Sequence, residues 1–321
     1  MDNLKNKKIL LFGAGSVGSY YAFKLTKAGF QTTLLARSKT YETLKERKLK
    51  LISFDKTEEE IKVNVINTLD ENEKFDFIII CVKSMDTDKA LESIKNNVSE
   101  NTLIISFQNG IRNIEKIATM YGENKAFGAS VHATVEILEP GVVKCLGFNT
   151  VLVGGLTNTY SNELNTFKDI LSACGILCEI TNDIKATLWN KLVWNAAFNS
   201  VSILSRKTVD EIIQDEKLLN LIRNIMIEVR ETAIANGVNI KPDIVELHLS
   251  KSNERIQGVG DFVGFKTSML QDFEKGKRLE SDELIGVIIK KAKEKNILVP
   301  NLESVYSQVC KVSQETLTAM T

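Results

Sequence analysis

A glycine-rich turn near the N-terminus has the residue types and the spacing needed to bind phosphate groups. An apolar run, residues 9–12, leads into the turn, and a helix-like stretch, residues 19–28, leaves it. In such a strand–turn–helix unit the glycines permit a tight turn, let the backbone approach a pyrophosphate, and let the helix pack on the strand. The pattern predicts a dinucleotide site; the alternative is a turn that only joins two elements. The turn consists of Gly13, Ala14, Gly15, Ser16, Val17 and Gly18.

The residues that follow the second predicted strand indicate which dinucleotide would bind. A unit that binds NAD usually carries an acidic residue here, which holds the ribose 2′-hydroxyl. The strand at residues 32–36 is instead followed by Arg37 and Ser38. A guanidinium pairs well with a 2′-phosphate, and a serine hydroxyl can add a hydrogen bond. The sequence therefore predicts NADP(H); the alternative is a surface arginine beside a less tightly bound NAD.

Two further polar residues follow buried strands of the predicted sheet. Lys83 comes directly after the apolar run 75–82, and Asn109 comes shortly after the run 102–107. Ligands of open α/β sheets bind outside the carboxyl ends of the strands. We therefore expect Lys83 to contact the cofactor; the alternative is a solvated loop lysine.

A helix that opens the second half of the chain is apolar on all sides, which is typical of a buried helix. Between Lys185 and Arg206 its only charged residue is Lys191. Asn195 and Asn199 follow at intervals of four, on the same face as Lys191. A buried lysine needs a partner or a chemical task, and the alternative here is a structural ion pair between domains.

Composition and charge exclude several classes of protein. The 321 residues contain 41 Lys plus Arg and 41 Asp plus Glu, so no overall charge favours nucleic acid or a membrane surface. No signal segment or membrane-length apolar stretch is present, and cytoplasmic residence is expected. The five cysteines form no C-x-x-C pair and are interpreted as free thiols. With only His132 and His248, a metal site or a Ser-His-Asp triad is not expected, and His132 is interpreted as structural.

The order of predicted elements indicates an α/β fold with a helical second domain. Strands and helices alternate up to residue 121, and β-rich runs between residues 126 and 153 suggest an antiparallel extension of the sheet. After residue 183 the patterns are helical. The prediction is a Rossmann-type NADP-binding domain at residues 1–182, followed by an all-α substrate and catalytic domain at residues 183–321 that packs tightly against it.

Taken together, these motifs resemble the ketopantoate reductase (2-dehydropantoate 2-reductase) family over essentially the whole chain. After the glycine turn and Lys83, the chain has Gln-Asn-Gly from residue 108 and a Trp-x-Lys-x-x-x-Asn-x-x-x-Asn helix at residues 189–199. Ser-Met-Leu-Gln-Asp begins at Ser268, and Lys-Arg-x-Glu ends at Glu280. One departure is Trp194, at a position where the family more often has a smaller residue.

The resemblance implies a role for each of these residues. Lys191 would be the general acid, and Glu280 would bind the substrate hydroxyl, help to hold the lysine and lie near the cofactor. Without the resemblance, Glu280 would be interpreted as an acid at a helix N-terminus. Asn109 would position substrate or nicotinamide, and Arg37 and Lys83 would lie at the phosphate end of NADP. The remaining substrate ligands would be Asn195, Asn199 and Ser268.

The expected reaction is the NADPH-dependent reduction of 2-dehydropantoate to (R)-pantoate, a step of pantothenate and coenzyme A synthesis. Hydride transfer to a ketone leaves an alkoxide that needs a proton donor, and a lysine can serve in place of a histidine. The substrate is expected in a cleft between the domains that closes on the ternary complex. Alternatives are another branched 2-keto acid, the oxidative direction, and a non-catalytic NADP-binding sensor. A homodimer is left open.

Overall fold

The computed structural model describes residues 2–157, 161–257 and 263–320. Its contacts divide the chain into two compact units, each with its own core. Unit 1 comprises residues 1–108 and 112–187, and unit 2 comprises residues 109–111 and 188–321. The predicted fold class, a Rossmann-type α/β domain followed by an all-α domain, is confirmed.

Unit 1 is built on one mixed sheet of ten strands. The strands are β1 (Lys8–Phe12), β2 (Gln31–Leu35), β3 (Leu49–Ile52), β4 (Glu58–Ile61), β5 (Asn64–Ile66), β6 (Phe77–Ile80), β7 (Leu103–Ser106), β8 (Ala126–Glu139), β9 (Val142–Gly155) and β10 (Leu177–Ile180). Its helices are α1 (Asp2–Lys5), α2 (Ser16–Lys27), α3 (Ser38–Glu46), α4 (Thr87–Ser93), α5 (Asn113–Tyr121) and α6 (Asn162–Ala173).

The strand order is β4-β3-β9-β8-β7-β6-β1-β2-β5, with β10 paired to β9. The strands from β8 to β5 in this order pair in parallel, which matches the apolar, doubly buried runs of the sequence. The long β8–β9 hairpin is antiparallel, and this confirms the predicted extension of the sheet. The sequence at residues 61–66 is one short β-like run, which predicts a single strand. The prediction is wrong, because this run is divided between β4, which pairs with β3, and β5, which pairs with β2.

The two edge strands of this order, β4 and β5, are separated in the chain by only Lys62 and Val63. An extended chain spans at most about 3.5 Å per residue, so the two edges approach within about 11 Å of each other at this point. The sheet therefore curls around the helix that follows the glycine turn. Helix α2 contacts β3, β4, β8 and β9 as well as β1 and β2. Tyr21 and Ala22, in its middle, are completely buried.

In the described part of unit 2, all of the regular elements are helical. Its elements are α7 (Ile184–Ser205), α8 (Val209–Gln214), α9 (Glu216–Ala235), α10 (Ile244–Gln257), α11 (Ser268–Glu274), a π-helical turn (Asp282–Gly286), α12 (Val287–Glu294) and α13 (Pro300–Met320). Helix α9 contacts α8, α10, α12 and α13. On α7, the apolar side chains of Leu192, Val193 and Phe198 are buried, as the all-round apolar pattern predicts.

A buried carboxylate joins two of these helices. Glu228 of α9 is only 8% exposed and accepts backbone hydrogen bonds from Asn301 and Leu302 in the first turn of α13, at 2.9 and 2.8 Å. The side-chain amide of Asn301 donates a third, at 2.7 Å. The first N–H groups of a helix lack partners within the helix and favour a negative charge, so Glu228 anchors α13 to α9. None of the helices in the described ranges is both long and apolar enough to cross a membrane.

Candidate active site

The three glycines of the N-terminal turn occupy different environments. A Cβ atom at Gly13 would lie 2.9 Å from Cγ1 of Val82, and one at Gly18 would collide with the carbonyl oxygen of Gly13. A Cβ atom at Gly15 would meet no protein atom within 4 Å. Gly13 and Gly18 are therefore required by the packing of the turn itself. Gly15 borders open space, which is where a phosphate group needs close access to the backbone.

The N-terminus of α2 adjoins the open space at Gly15. Gly15 is its N-cap residue, and no side chain caps the helix. Uncapped N–H groups at a helix N-terminus attract an anion. The open space at Gly15 and this uncapped end together fit a dinucleotide pyrophosphate.

Arg37 and Ser38 lie where β2 passes into α3. Arg37 is exposed and is the N-cap residue of α3, and Ser38 adopts a left-handed conformation with a φ of 48°. No acidic residue occupies positions 36–38. Lys83 is partly exposed and follows β6 by three residues, as its predicted place at a strand end requires.

In unit 2, Lys191 of α7 interacts electrostatically with Glu280. Glu280 is 3% exposed and lies two residues before the π-helical turn, which begins at Asp282. Burial lowers the pKa of the Lys191 ammonium to about 8, and the negative charge of Glu280 acts in the opposite direction by raising it. Lys191 itself keeps partial exposure. An ammonium with this pKa is protonated at neutral pH and is ready to release its proton.

The two asparagines on the lysine face of α7 are also buried, at 8% exposure for Asn195 and 1% for Asn199. The Asn199 amide nitrogen donates to the Asn195 carbonyl oxygen at 2.9 Å, and its side-chain oxygen accepts from the Met269 N–H at 3.1 Å. Asn199 therefore holds the first turn of α11, which begins at the exposed Ser268. Its predicted bond to substrate stays a prediction.

A pair of hydroxyls also supports the start of α11, and no sequence pattern indicates it. Thr267 caps the helix by accepting from the Leu270 N–H at 3.3 Å. The Thr267 hydroxyl also lies 2.6 Å from the hydroxyl of Ser202 on α7. Ser202 lies three residues after Asn199, so α7 holds the first turn of α11 at two points.

Trp194 is fixed in place beside Asn195. Its indole stacks on Phe198 with ring centroids 4.6 Å apart, and its N–H donates to the Ser252 hydroxyl of α10 at 3.0 Å. His248 of α10 is partly buried, which lowers its pKa, and its Nε2 lies 2.8 Å from the Asn190 carbonyl oxygen. This histidine thus joins α10 to α7.

Asn109 lies in the short segment 109–111, which groups with unit 2, and is partly exposed. All five cysteines are free thiols. Within the ranges that the structure describes, no group of three or more His, Cys, Asp or Glu side chains could hold a metal ion.

Comparison with known proteins gives a consistent result for both units. The family model "Ketopantoate reductase PanE/ApbA" matches residues 9–158, and "Ketopantoate reductase PanE/ApbA C terminal" matches residues 183–313. A 2-dehydropantoate 2-reductase of Pyrococcus horikoshii is 30% identical, covering 91% of this chain and 93% of the relative.

Solved structures extend the likeness to three dimensions. The crystal structure of 2-dehydropantoate 2-reductase from Geobacter metallireducens GS-15 has a TM-score of 0.86 at 26% identity, covering 98% of this chain and all of the other. A ternary structure of D-mandelate dehydrogenase with NADH and anilino(oxo)acetate shares the fold, with a TM-score of 0.89 at 20% identity over 96% of this chain and 99% of the other.

Proposed function

Because this chain belongs to the ketopantoate reductase family of nicotinamide-dependent oxidoreductases, we propose that it reduces 2-dehydropantoate to (R)-pantoate with NADPH. The product would feed pantothenate and coenzyme A synthesis. The observation that carries the proposal is Lys191, whose burial and whose interaction with Glu280 give its ammonium a pKa of about 8.

The proposed chemistry assigns one task to each half of the Lys191–Glu280 pair. NADPH, when bound, would supply the hydride. Lys191 donates a proton to the oxygen of the carbonyl as it becomes an alkoxide, and its positive charge stabilises the developing negative charge. Glu280 keeps the lysine protonated despite burial, and it binds the substrate hydroxyl. Asn195 and Ser268 would orient the substrate, with Ser268 on its carboxylate and Asn109 close to the reacting carbon.

The residues proposed to hold the cofactor fall into two groups. The glycine turn and the free N–H groups of α2 would hold the pyrophosphate. Arg37 would pair with the 2′-phosphate, with Lys83 nearby. The absence of an acid at residues 36–38 supports NADPH over NADH. Arg37→Ala is therefore expected to raise the KM for NADPH while leaving the KM for NADH almost unchanged.

The first test is oxidation of NADPH at 340 nm with 2-dehydropantoate, alongside 2-ketoisovalerate as a second substrate and NADH as a second cofactor. Preference for 2-dehydropantoate with NADPH supports the proposal. Binding of NADPH without turnover of any keto acid would contradict it and would favour a non-catalytic sensor.

The role of Lys191 has its own test with a matched control on the same helix. Lys191→Ala should lower kcat by about 10²–10⁴-fold, the usual contribution of a general acid, and leave NADPH binding intact. Lys185→Ala removes an exposed lysine from the first turn of α7 and should change neither quantity. Turnover near the wild-type value in Lys191→Ala would exclude this lysine as the proton donor.

One observation favours a second substrate. Trp194 places a fixed indole next to Asn195, where the family more often has a smaller side chain. The fold is shared with D-mandelate dehydrogenase, whose structure holds anilino(oxo)acetate, so this fold also binds a 2-oxo acid that carries an aromatic ring, against which an indole could pack. A panel of 2-keto acids compared by kcat/KM distinguishes 2-dehydropantoate from an aromatic 2-keto acid as the preferred substrate. Preference for the aromatic acid would keep the mechanism and change the pathway.

A further inference from the structure

A cluster of five buried polar residues in unit 1 lies where the chain leaves β6 and β7. Each is at most 6% exposed. Burying a polar group costs free energy unless the group is hydrogen-bonded, so the partners of these five residues matter. We call this group the strand-end cluster. Its members are Ser84, Thr87, Ser106, Gln108 and Asn113.

Thr87, the first residue of α4, is the centre of the cluster and is completely buried. Its hydroxyl accepts from the Gln108 side-chain amide at 2.8 Å. The same hydroxyl lies 2.8 Å from the Ser84 carbonyl oxygen and 2.9 Å from Oδ1 of Asn113. The two acceptors share the single hydroxyl proton of Thr87. Through this one oxygen atom, Thr87 is therefore linked to the segments that contain Ser84, Gln108 and Asn113.

Gln108 ties the two strand ends directly together. Its amide nitrogen also donates to the Val82 carbonyl oxygen at 3.0 Å, and its amide oxygen accepts from the Ser106 hydroxyl at 3.1 Å. The strands are already paired at this level, with Ile80 opposite Ser106. The hydrogen bonds of Gln108 and Thr87 continue the connection beyond the last residues of the sheet.

The segments held in this way carry two residues of the proposed site. Lys83 lies between Val82, whose carbonyl oxygen accepts from Gln108, and Ser84, whose carbonyl oxygen accepts from Thr87. Asn109 follows Gln108 in the chain. We propose that Thr87 is a positioning residue, whose hydroxyl holds the backbone around Lys83 in the conformation that binds NADPH. This inference rests on the proposed function, because it needs the same cofactor.

The test compares three variants by their Kd for NADPH, measured from protein fluorescence without any keto acid. Thr87→Val keeps the shape but loses the hydroxyl, and Thr87→Ser keeps the hydroxyl. Thr232→Val is the matched control: Thr232 is also completely buried, and its hydroxyl donates to the Glu228 carbonyl oxygen at 2.8 Å in unit 2. Melting temperatures are recorded for all of them.

Thr87→Val is expected to raise the Kd for NADPH about tenfold, because small misplacements of binding groups are costly. The KM for NADPH should rise with it, while kcat at saturating NADPH stays within about threefold of wild type. Thr87→Ser should restore most of the affinity. Thr232→Val should lose a similar amount of thermal stability and keep the wild-type Kd, which separates positioning from a general loss of stability.

A Kd for NADPH in Thr87→Val within about twofold of wild type would overturn the inference and leave Thr87 a purely structural residue. If Thr87→Val does not fold, Ser106→Ala removes the bond to Gln108 more gently, and the same comparison decides. Failure of the proposed function looks different. If the wild-type protein binds NADPH but reduces no keto acid, the proposed reductase function is wrong and the inference about Thr87 still stands. If it does not bind NADPH, both the proposed function and the inference about Thr87 are wrong.

Discussion

Replacing Glu280 by glutamine should move the alkaline limb of the kcat/KM profile to lower pH. In the wild-type protein, burial brings the pKa of Lys191 down to about 8, and the charge of Glu280 limits that decrease. Glutamine keeps the size of the side chain and its ability to form hydrogen bonds but removes the charge. The pKa of Lys191 must then fall further, since desolvation is no longer opposed.

The size of the effect follows from the wild-type pKa. With a pKa of about 8, roughly 90% of the lysine carries its proton at pH 7. An opposite charge within ~4–6 Å typically shifts a pKa by about 1–3 units. A decrease of about one unit leaves roughly half of Lys191 protonated at pH 7, and a decrease of about two units leaves roughly a tenth. Activity at pH 7 should therefore fall about twofold to tenfold relative to activity at low pH.

The assay is kcat/KM for the keto acid at saturating NADPH, measured from about pH 5.5 to pH 9.5, since this parameter reports ionisations of the enzyme before it binds the keto acid. The wild-type profile should decline above about pH 8, because the lysine loses the proton that it must donate. Glu274→Gln, an exposed carboxylate of α11, is the control and should keep the wild-type profile. The reasoning would be refuted if the alkaline limbs of the kcat/KM profiles of wild type and Glu280→Gln coincided. It would also be refuted if the wild-type activity declined only near the ordinary pKa of a lysine.

Three further predictions concern binding and stability. Gly15→Ala should leave the melting temperature unchanged but weaken NADPH binding. Gly18→Ala should destabilise the protein even without ligand, because its Cβ atom would collide with the Gly13 carbonyl oxygen. Thermal melts with and without NADPH distinguish the two effects. Glu228→Ala removes three hydrogen bonds at the start of α13 and should cost about 2–4 kcal/mol in urea unfolding, a prediction that a cost below about 0.5 kcal/mol would contradict. Asn199→Leu leaves the buried Met269 N–H without its acceptor and should cost about 1–3 kcal/mol by the same measurement, so an unchanged free energy of unfolding would contradict this role of Asn199.

The parts of the site that lie on regular elements could be predicted from the sequence. The glycine turn stands between β1 and α2, and Lys83 follows the end of β6, as the apolar runs indicated. A single charge in an apolar helix is conspicuous, and this pattern predicts a partner or a chemical task for Lys191. The structure agrees, in that burial does perturb the pKa of this lysine. These features depend on short stretches of chain whose pattern is visible locally.

What could not be predicted depends on contacts between distant residues. Nothing in the spacing of Thr87 and Gln108 shows that their side chains meet, because a buried polar residue looks like any loop residue until its partners are known. Asn199 illustrates the same limit: the family resemblance implies a substrate ligand, yet its side-chain amide bonds to Met269 and Asn195. The β-like run 61–66 could not be divided correctly either, because local pattern does not reveal which strand each half will pair with.

The curled sheet has a consequence for the order in which the chain acquires its structure. The first 36 residues are a local strand–helix–strand unit, but the helix in it is enclosed by strands as distant as β8 and β9. Contacts between residues so far apart in the sequence form slowly, because the entropy of closing a large loop is lost before the contacts contribute any stability. During synthesis, the glycine turn would leave the ribosome more than a hundred residues before the hairpin that encloses its helix. A nascent chain should therefore gain affinity for a dinucleotide only after residue 155 has emerged, late in the formation of unit 1.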